Sequence, residues 1–149
     1  MSVAFLSRNF TVAEMIQSQT AARLGLDNTP SPEVLERLKR LVLDILEPAR
    51  DALGPLRVSS GYRSPAVNAA VGGSSASDHM TGDAADIIPI IVPVVSLARW
   101  ITQNRPWDQL IFEYGTLESP AWLHISNGPR MRRQVLRILA GTGYESVTL

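Results

Sequence analysis

The sequence predicts an α+β domain, with helices early in the chain and a small, mainly antiparallel sheet after them. Three observations predict it. Apolar residues recur at helical spacing between Val34 and Ala49, whereas short apolar runs punctuated by turn residues dominate after Gly54. The chain has 149 residues, 45% hydrophobic and 19% charged, which suits a single domain over residues 1–149 with one core. No internal repeat, low-complexity tract or linker divides it.

The elements follow in order. Thr11, with Glu14 three residues on, makes a capping-box pattern that starts a short helix near Val12. Residues 24–31 read as loop through Gly25, Asp27, Asn28 and Pro30. Ser31, Pro32 and Glu33 then supply a hydroxyl cap, a first-turn proline and an acid near the positive end of the helix dipole. Val34, Leu38, Leu41, Ile45 and Ala49 carry an amphipathic helix to about Leu53, and Gly54-Pro55 stops it. Residues 56–59 form a short strand, 60–65 a loop and 66–71 a brief helix ending at Gly72-Gly73. The polar stretch 74–82 reads as surface loop. A strand over 84–88 and a helix over 94–103 follow, the helix turning Leu97, Trp100 and Ile101 inward. Strands over 109–114 and 122–126 flank a turn with Gly115 and Pro120, and residues 131–139 stay open between helix and strand.

Composition excludes several functions. Fourteen basic and fourteen acidic residues cancel, which argues against nucleic acid as the main partner. Thirteen of the basic residues are Arg and one is Lys39, which reads first as codon bias. The absence of cysteine removes disulfides, thiolate chemistry and cysteine zinc knuckles. Residues 1–10 include Arg8 and Asn9 and lack the apolar run of an export signal. The longest apolar stretch, 87–95, is interrupted by Pro89 and Pro93, short of the roughly 20 residues that span a bilayer. The expectation is a soluble chain made in the cytoplasm, without membrane insertion.

The chemistry concentrates on two histidines. His79 sits among Ser, Asp, Thr and Gly, seven residues before Asp86 in an otherwise apolar strand. An unpaired carboxylate there would cost several kcal/mol to bury, so Asp86 calls for a cation or strong donors. Strand alternation places His124 with Trp122 and Ser126, opposite Leu123 and Ile125. Two imidazoles and one carboxylate suit Zn²⁺ with one position left for water. The residues alone leave other readings open: a satisfied strand histidine, a turn-capping Asp86, an ordinary loop His79. The iron-binding facial triad also uses two His and one acid, although its first His and acid usually lie two apart.

Ser77-x-His79-x-x-Gly82-x-Ala84-x-Asp86, followed by Trp122-x-His124, resembles the zinc D-Ala-D-Ala carboxypeptidase family. That family includes the vancomycin-resistance D,D-dipeptidases and many phage L-alanyl-D-glutamate endolysins. The run from Ser59 to Pro65 matches its arginine-bearing loop, and the similarity extends from about Asn9 to Arg133, fitting best the short phage and prophage branch. The resemblance implies a Hedgehog/D,D-peptidase-like fold and one zinc ion on His79, Asp86 and His124. It also implies hydrolysis of peptidoglycan stem peptides by metal-activated water. Gly82 suits the tight reversal between the first two ligands, and Ala84 leaves packing room. The resemblance assigns Arg63 to a substrate carboxylate or the oxyanion, a task its planar fork suits; a structural ion pair is the alternative. Ser77 orients the metal loop or meets substrate, with a plain turn hydroxyl as the alternative; Tyr62 and Trp122 are further substrate-side candidates, with core packing as the alternative for Trp122.

Many relatives carry an acid three residues before the last histidine, where this chain has Ala121. Glu113 and Glu118 remain nearby. Glu113 ends a strand expected to pair with that of His124, where burial would lift its pKa toward the range of a general base. Glu118 falls on an exposed turn. Ala121 also motivates a second reading, a wall-binding or virion-structural module that keeps the metal site. Without an export signal, the expected setting is the cell wall after release, or a phage particle, with phage-particle or lysis-system components as candidate partners. Arg130, Arg132, Arg133 and Arg137 read as a solvated basic face with wall docking as the alternative, and Trp100 and Trp107 as packing.

Overall fold

A computed structural model describes residues 4–149; residues 1–3, part of the stretch read for an export signal, lie outside the described residues. Thr11 caps α1 (Val12–Ile16), accepting the Glu14 N–H while the Glu14 side chain takes the Thr11 N–H in return. The chain then turns extended at Gln17, and Ser18 caps a second short helix, α2 (Gln19–Leu24), closed by left-handed Gly25. The sequence reading did not resolve that second start, because Ser18 lacks the acid three residues on that marked Thr11.

The long amphipathic helix runs to Leu53 as expected, in three parts. α3 (Pro32–Leu41) starts at the Ser31 cap, residues 42–46 widen into a π-helical segment, and α4 (Glu47–Leu53) completes the rod. Pro48 explains the widening: it donates no N–H, and its ring crowds the carbonyl four residues back. That carbonyl belongs to Asp44, and Arg105 Nε donates to it instead. Leu38, Leu41, Val42, Ile45, Leu46 and Ala49 are fully buried along the rod.

The strands are β1 (Leu56–Ser60), β2 (Ala84–Pro89), β3 (Gln109–Glu113), β4 (Trp122–Ser126), β5 (Gln134–Ile138) and β6 (Glu145–Ser146), in sheet order β1-β2-β4-β3-β5-β6. Among the described residues only β3 and β5 pair in parallel, which settles the open tail segment as strand. Between strands lie α5 (Pro65–Ala70), capped by Ser64, and α6 (Val94–Asn104). Ala85, Ile87, Leu110, Phe112, Leu123 and Ile125 join Leu38, Ile45, Leu97 and Ile101 in one core. Trp100 packs at the edge of that core, and Trp107 lies within it. The register sets Asp86 and Ile111 on either side of His124, and Glu113 opposite Trp122, all on the other face. No described helix is long and apolar enough to cross a membrane.

Candidate metal centre

His79 is not the loop residue that its polar neighbours suggest. It sits in a 3₁₀ turn, Asp78–Met80, where Ser77 Oγ accepts the His79 N–H, and the residue is 1% exposed. Gly82, at φ 82°, closes the loop where a Cβ would press on the Val34 carbonyl of α3. A second glycine, Gly61, brings its loop against Met15 so closely that a Cβ would overlap the Met15 carbonyl. That approach places the Gly61 carbonyl 2.7 Å from His79 Nδ1, which donates to it. The tautomer so held leaves Nε2 as a lone pair, 3.3 Å from Asp86 Oδ1 and with no hydrogen-bond partner. Burial holds the His79 pKa below its ordinary value against the opposing pull of Asp86, so the ring stays neutral.

His124 approaches the same oxygen from β4, with Nδ1 at 3.1 Å from Asp86 Oδ1. Burial disfavours charge on this ring too, but the hydrogen bond and charge of Asp86 outweigh it and raise its pKa. Burial likewise opposes ionisation of Asp86, yet the two imidazoles pull its carboxyl well below the usual range. Ligand atoms of the three residues all lie within 4.8 Å of one another.

This donor set fits a small divalent cation. A buried acceptor nitrogen without a donor costs about 1–3 kcal/mol, and here it faces a second acceptor. A cation between them turns that opposition into two bonds. Bonds of about 2.0–2.2 Å place donors roughly 3.3 Å apart around a tetrahedral ion. The 3.3 and 3.1 Å separations match that spacing.

Glu113 stands beside the set. Its Oε1 is 3.9 Å from His124 Nδ1, and its Oε2 accepts the Trp122 indole N–H at 3.0 Å. Burial, reinforced by the charge of Asp86, pushes its carboxyl up to about 7. Glu118 is exposed on the turn and lines no described cavity. Tyr114 follows Glu113 in the left-handed region at φ 58°, its ring 5.5 Å from that of Trp122.

A cleft of about 500 Å³ opens over these groups and is lined also by Arg63, Ser77, Arg132 and Tyr144. The Arg63 N–H donates to the His79 carbonyl, and its partly buried guanidinium has a buried Nε without a partner. Burial depresses the Arg63 pKa while Asp86 and Glu113 oppose that shift. Tyr62 is placed otherwise than expected: it is 6% exposed, packs in the core and lines neither cavity. Asn28 explains the local geometry, since it donates to the Ile16 and Tyr62 carbonyls and accepts the Ser64 N–H.

The basic tail is paired rather than merely solvated. Arg132 donates to both Asp108 oxygens and to Asp78, Arg130 pairs with Asp78, and Arg137 with Glu145. Arg133 lies 5.9 Å over the Trp107 ring. Ser126 Oγ lies 2.7 Å from Asp78 and 3.0 Å from Asp108, so this network ties the His79 turn to the end of β4. Sequence reasoning missed Asp78, Asp108 and Asp83. Asp83, buried under Arg37 and Arg40, was the one with a signal, an acid flanked by Gly82 and a buried strand.

Comparison with curated proteins finds no match. A family model described as Peptidase M15 matches residues 8–126, a span that holds all three metal-site residues, Arg63 and Glu113. With the match covering most of the chain and an α+β fold around a buried His-Asp-His set, the protein belongs to the Peptidase M15 family of metallopeptidases.

Proposed function

We propose that this chain hydrolyses peptide bonds of peptidoglycan stem peptides as a zinc peptidase. The observation that carries the reading is the unpartnered His79 Nε2 facing Asp86, with Glu113 on the adjoining strand. His79 Nε2, Asp86 Oδ1 and His124 Nδ1 would hold the ion. When bound there, Zn²⁺ supplies a Lewis acid for the peptide carbonyl and acidifies water toward neutral pH.

The remaining steps belong to the chain's own residues. Glu113 Oε1 accepts a proton from the attacking water and later delivers it to the leaving amine nitrogen as the C–N bond breaks. Burial, which lifts the Glu113 carboxyl above its ordinary range, favours its taking up the proton. Trp122 fixes the carboxylate by holding Oε2. Arg63 offers N–H donors to the charge that develops on the carbonyl oxygen. Ser77 sets the turn that presents His79, and Trp122 and Tyr114 wall the cleft. A non-catalytic module that keeps the metal site is the second reading; Glu113, 3.9 Å from His124, supports the catalytic one by offering a carboxylate where Ala121 has none. The site of action would be the cell wall, reached after release or from a phage particle.

The test is metal analysis joined to product analysis on purified muropeptides. Zinc at one per chain and new amino termini are expected, with Glu113→Gln keeping the metal while losing about 10²–10⁴ in rate. Metal-loaded protein that leaves every stem peptide intact would sink the reading.

A further inference from the structure

The Peptidase M15 match ends at Ser126, but the cleft does not. Its floor runs on across the sheet, from His124 on β4 to its partner Ile111 on β3, and from there to Leu136 on β5. Leu136 pairs in turn with Ser146 on β6, and Tyr144 stands at the end of the turn that leads into that strand. Ile111, Leu136 and Tyr144 all line the cleft. Residues 127–149 therefore supply a wall that lies outside the family match.

The tail is tied down well enough to hold a wall in place. Arg132 clamps its start onto Asp108 and Asp78, and Arg137 pairs with Glu145 across the β5–β6 turn at 2.9 Å. Within that turn Thr142 Oγ1 accepts the Leu139 N–H, and the Thr142 N–H donates to the Leu139 carbonyl. β5 also supports Tyr114, whose N–H donates to the Ile138 carbonyl at 2.8 Å while its φ stands at 58°. Left-handed backbone is disfavoured for so bulky a residue, and such strain clusters at ligand sites. Arg130 and Arg132 are taken by Asp78 and Asp108, whereas Tyr144 is 62% exposed, so its ring and hydroxyl stay open to a ligand. Partial burial, reinforced by Glu113, Tyr114 and Asp86, raises its pKa, so the phenol keeps its proton at neutral pH and can donate it in a hydrogen bond. A tyrosine covers apolar surface with its ring and offers one directed donor, which suits a peptide main chain.

We propose that Tyr144 is a substrate-binding residue that the tail adds to the cleft: its ring packs over peptide lying on Ile111 and Leu136, and its hydroxyl donates to a peptide carbonyl. It transfers no proton and takes no part in breaking the bond. This deepens the peptidase reading above and rests on it for the ligand, a stem peptide, and not for turnover.

Tyr144→Phe removes the hydroxyl and Tyr144→Ala removes the ring as well; neither touches the buried core. With zinc-loaded protein and purified stem peptide, KM should rise about 3- to 10-fold for the first and further for the second, with kcat little changed. Calorimetric titration of the peptide into zinc-loaded Glu113→Gln protein, which turns it over too slowly to interfere, should show Kd weakened by matching factors when each Tyr144 substitution is added. Melting temperature and zinc content should stay at the parent values. KM and Kd that ignore both substitutions overturn the proposal. So does a lower kcat and melting temperature at unchanged Kd, which would make Tyr144 a strut of the β5–β6 hairpin. If the parent protein leaves every peptide intact but Kd still depends on Tyr144, the hydrolase reading falls and the binding wall stands.

Discussion

The two faces of the central sheet are buried almost equally and built from opposite chemistry. On the helix side Leu110, Leu123 and Ile125 are wholly buried within the apolar core. On the cleft side Asp86 and His124 are each 8% exposed and His79 1%, yet all three are polar and one nitrogen has no partner. Burial on the first face is its own stabilisation, about 1.5–3 kcal/mol for each large side chain. On the second face it leaves a cost at His79 Nε2, which a cation shared with Asp86 would remove. One strand, β4, serves both: Leu123 and Ile125 hold it in place so that His124 between them meets Asp86.

The sharpest way to break the comparison is a pair of substitutions at neighbouring positions. Leu123→Ala leaves a cavity on the helix side and should lower stability by about 2–5 kcal/mol, with metal stoichiometry retained in the fraction that folds. His124→Ala should abolish metal retention and reduce hydrolysis below detection. Thermal melts with and without added zinc separate the two. Metal at 1,000 times its Kd adds about 4 kcal/mol to any protein that binds it, so Leu123→Ala should regain stability with zinc and His124→Ala should not. Equal zinc responses would mean that the two faces are not chemically distinct.

A smaller effect probes how the cleft face holds its acid. Trp122 pairs with Glu113 across β4 and β3 and donates its indole N–H to Oε2. Trp122→Phe keeps a ring against Tyr114 but removes that donor. Hydrogen bonds to charged groups contribute about 1.5–3 kcal/mol, so kcat should fall about 10- to 100-fold with KM little changed. A change in KM alone would make Trp122 a substrate contact and not a positioning residue for Glu113.

The parts of this architecture legible in the sequence are those with a short-range signature. Thr11, Ser31 and Ser64 cap helices through side chains that reach only three residues. His124 could be assigned a face because strand period is two. The pairing of Asp86 with His124 follows from the β2–β4 register, and motif resemblance supplied it where spacing alone did not. What stayed hidden depends on distant pairing. Arg132 reaches Asp108 and Asp78 only because the tail returns parallel to β3, a crossover that no local pattern encodes. Tyr62 was misplaced for a related reason: its neighbour Arg63 lines the cleft, but Asn28 and Met15 hold the Tyr62 backbone so that the ring packs in the core. The π-helical widening at Pro48 had a local cause, yet the helical periodicity around it masked the signal.

Acid distinguishes the faces most finely, because the apolar core holds no carboxylate or imidazole among the described residues. Asp108 is fully buried at the foot of the cleft face, accepting from the Arg132 backbone at 2.7 Å and from its guanidinium at 2.9 and 3.0 Å. Burial opposes ionisation, but the Arg132 hydrogen bonds and Ser126 outweigh it, so the carboxyl lies below its ordinary value. A carboxylate with a depressed folded pKa contributes stability that is fully present above the unfolded pKa, near 3.9, and is lost as pH falls through the folded pKa. Melting temperature followed from pH 7 to pH 2 should therefore drop below about pH 4. Asp108→Asn should melt lower at pH 7, because Arg132 loses its charged partner, and should show a shallower acid decline, so that the two curves converge at the low end. Parallel curves at all pH values would show that Asp108 contributes through shape and not through charge, and the tie between the His79 turn and β4 would then have to rest on Asp78 and Ser126.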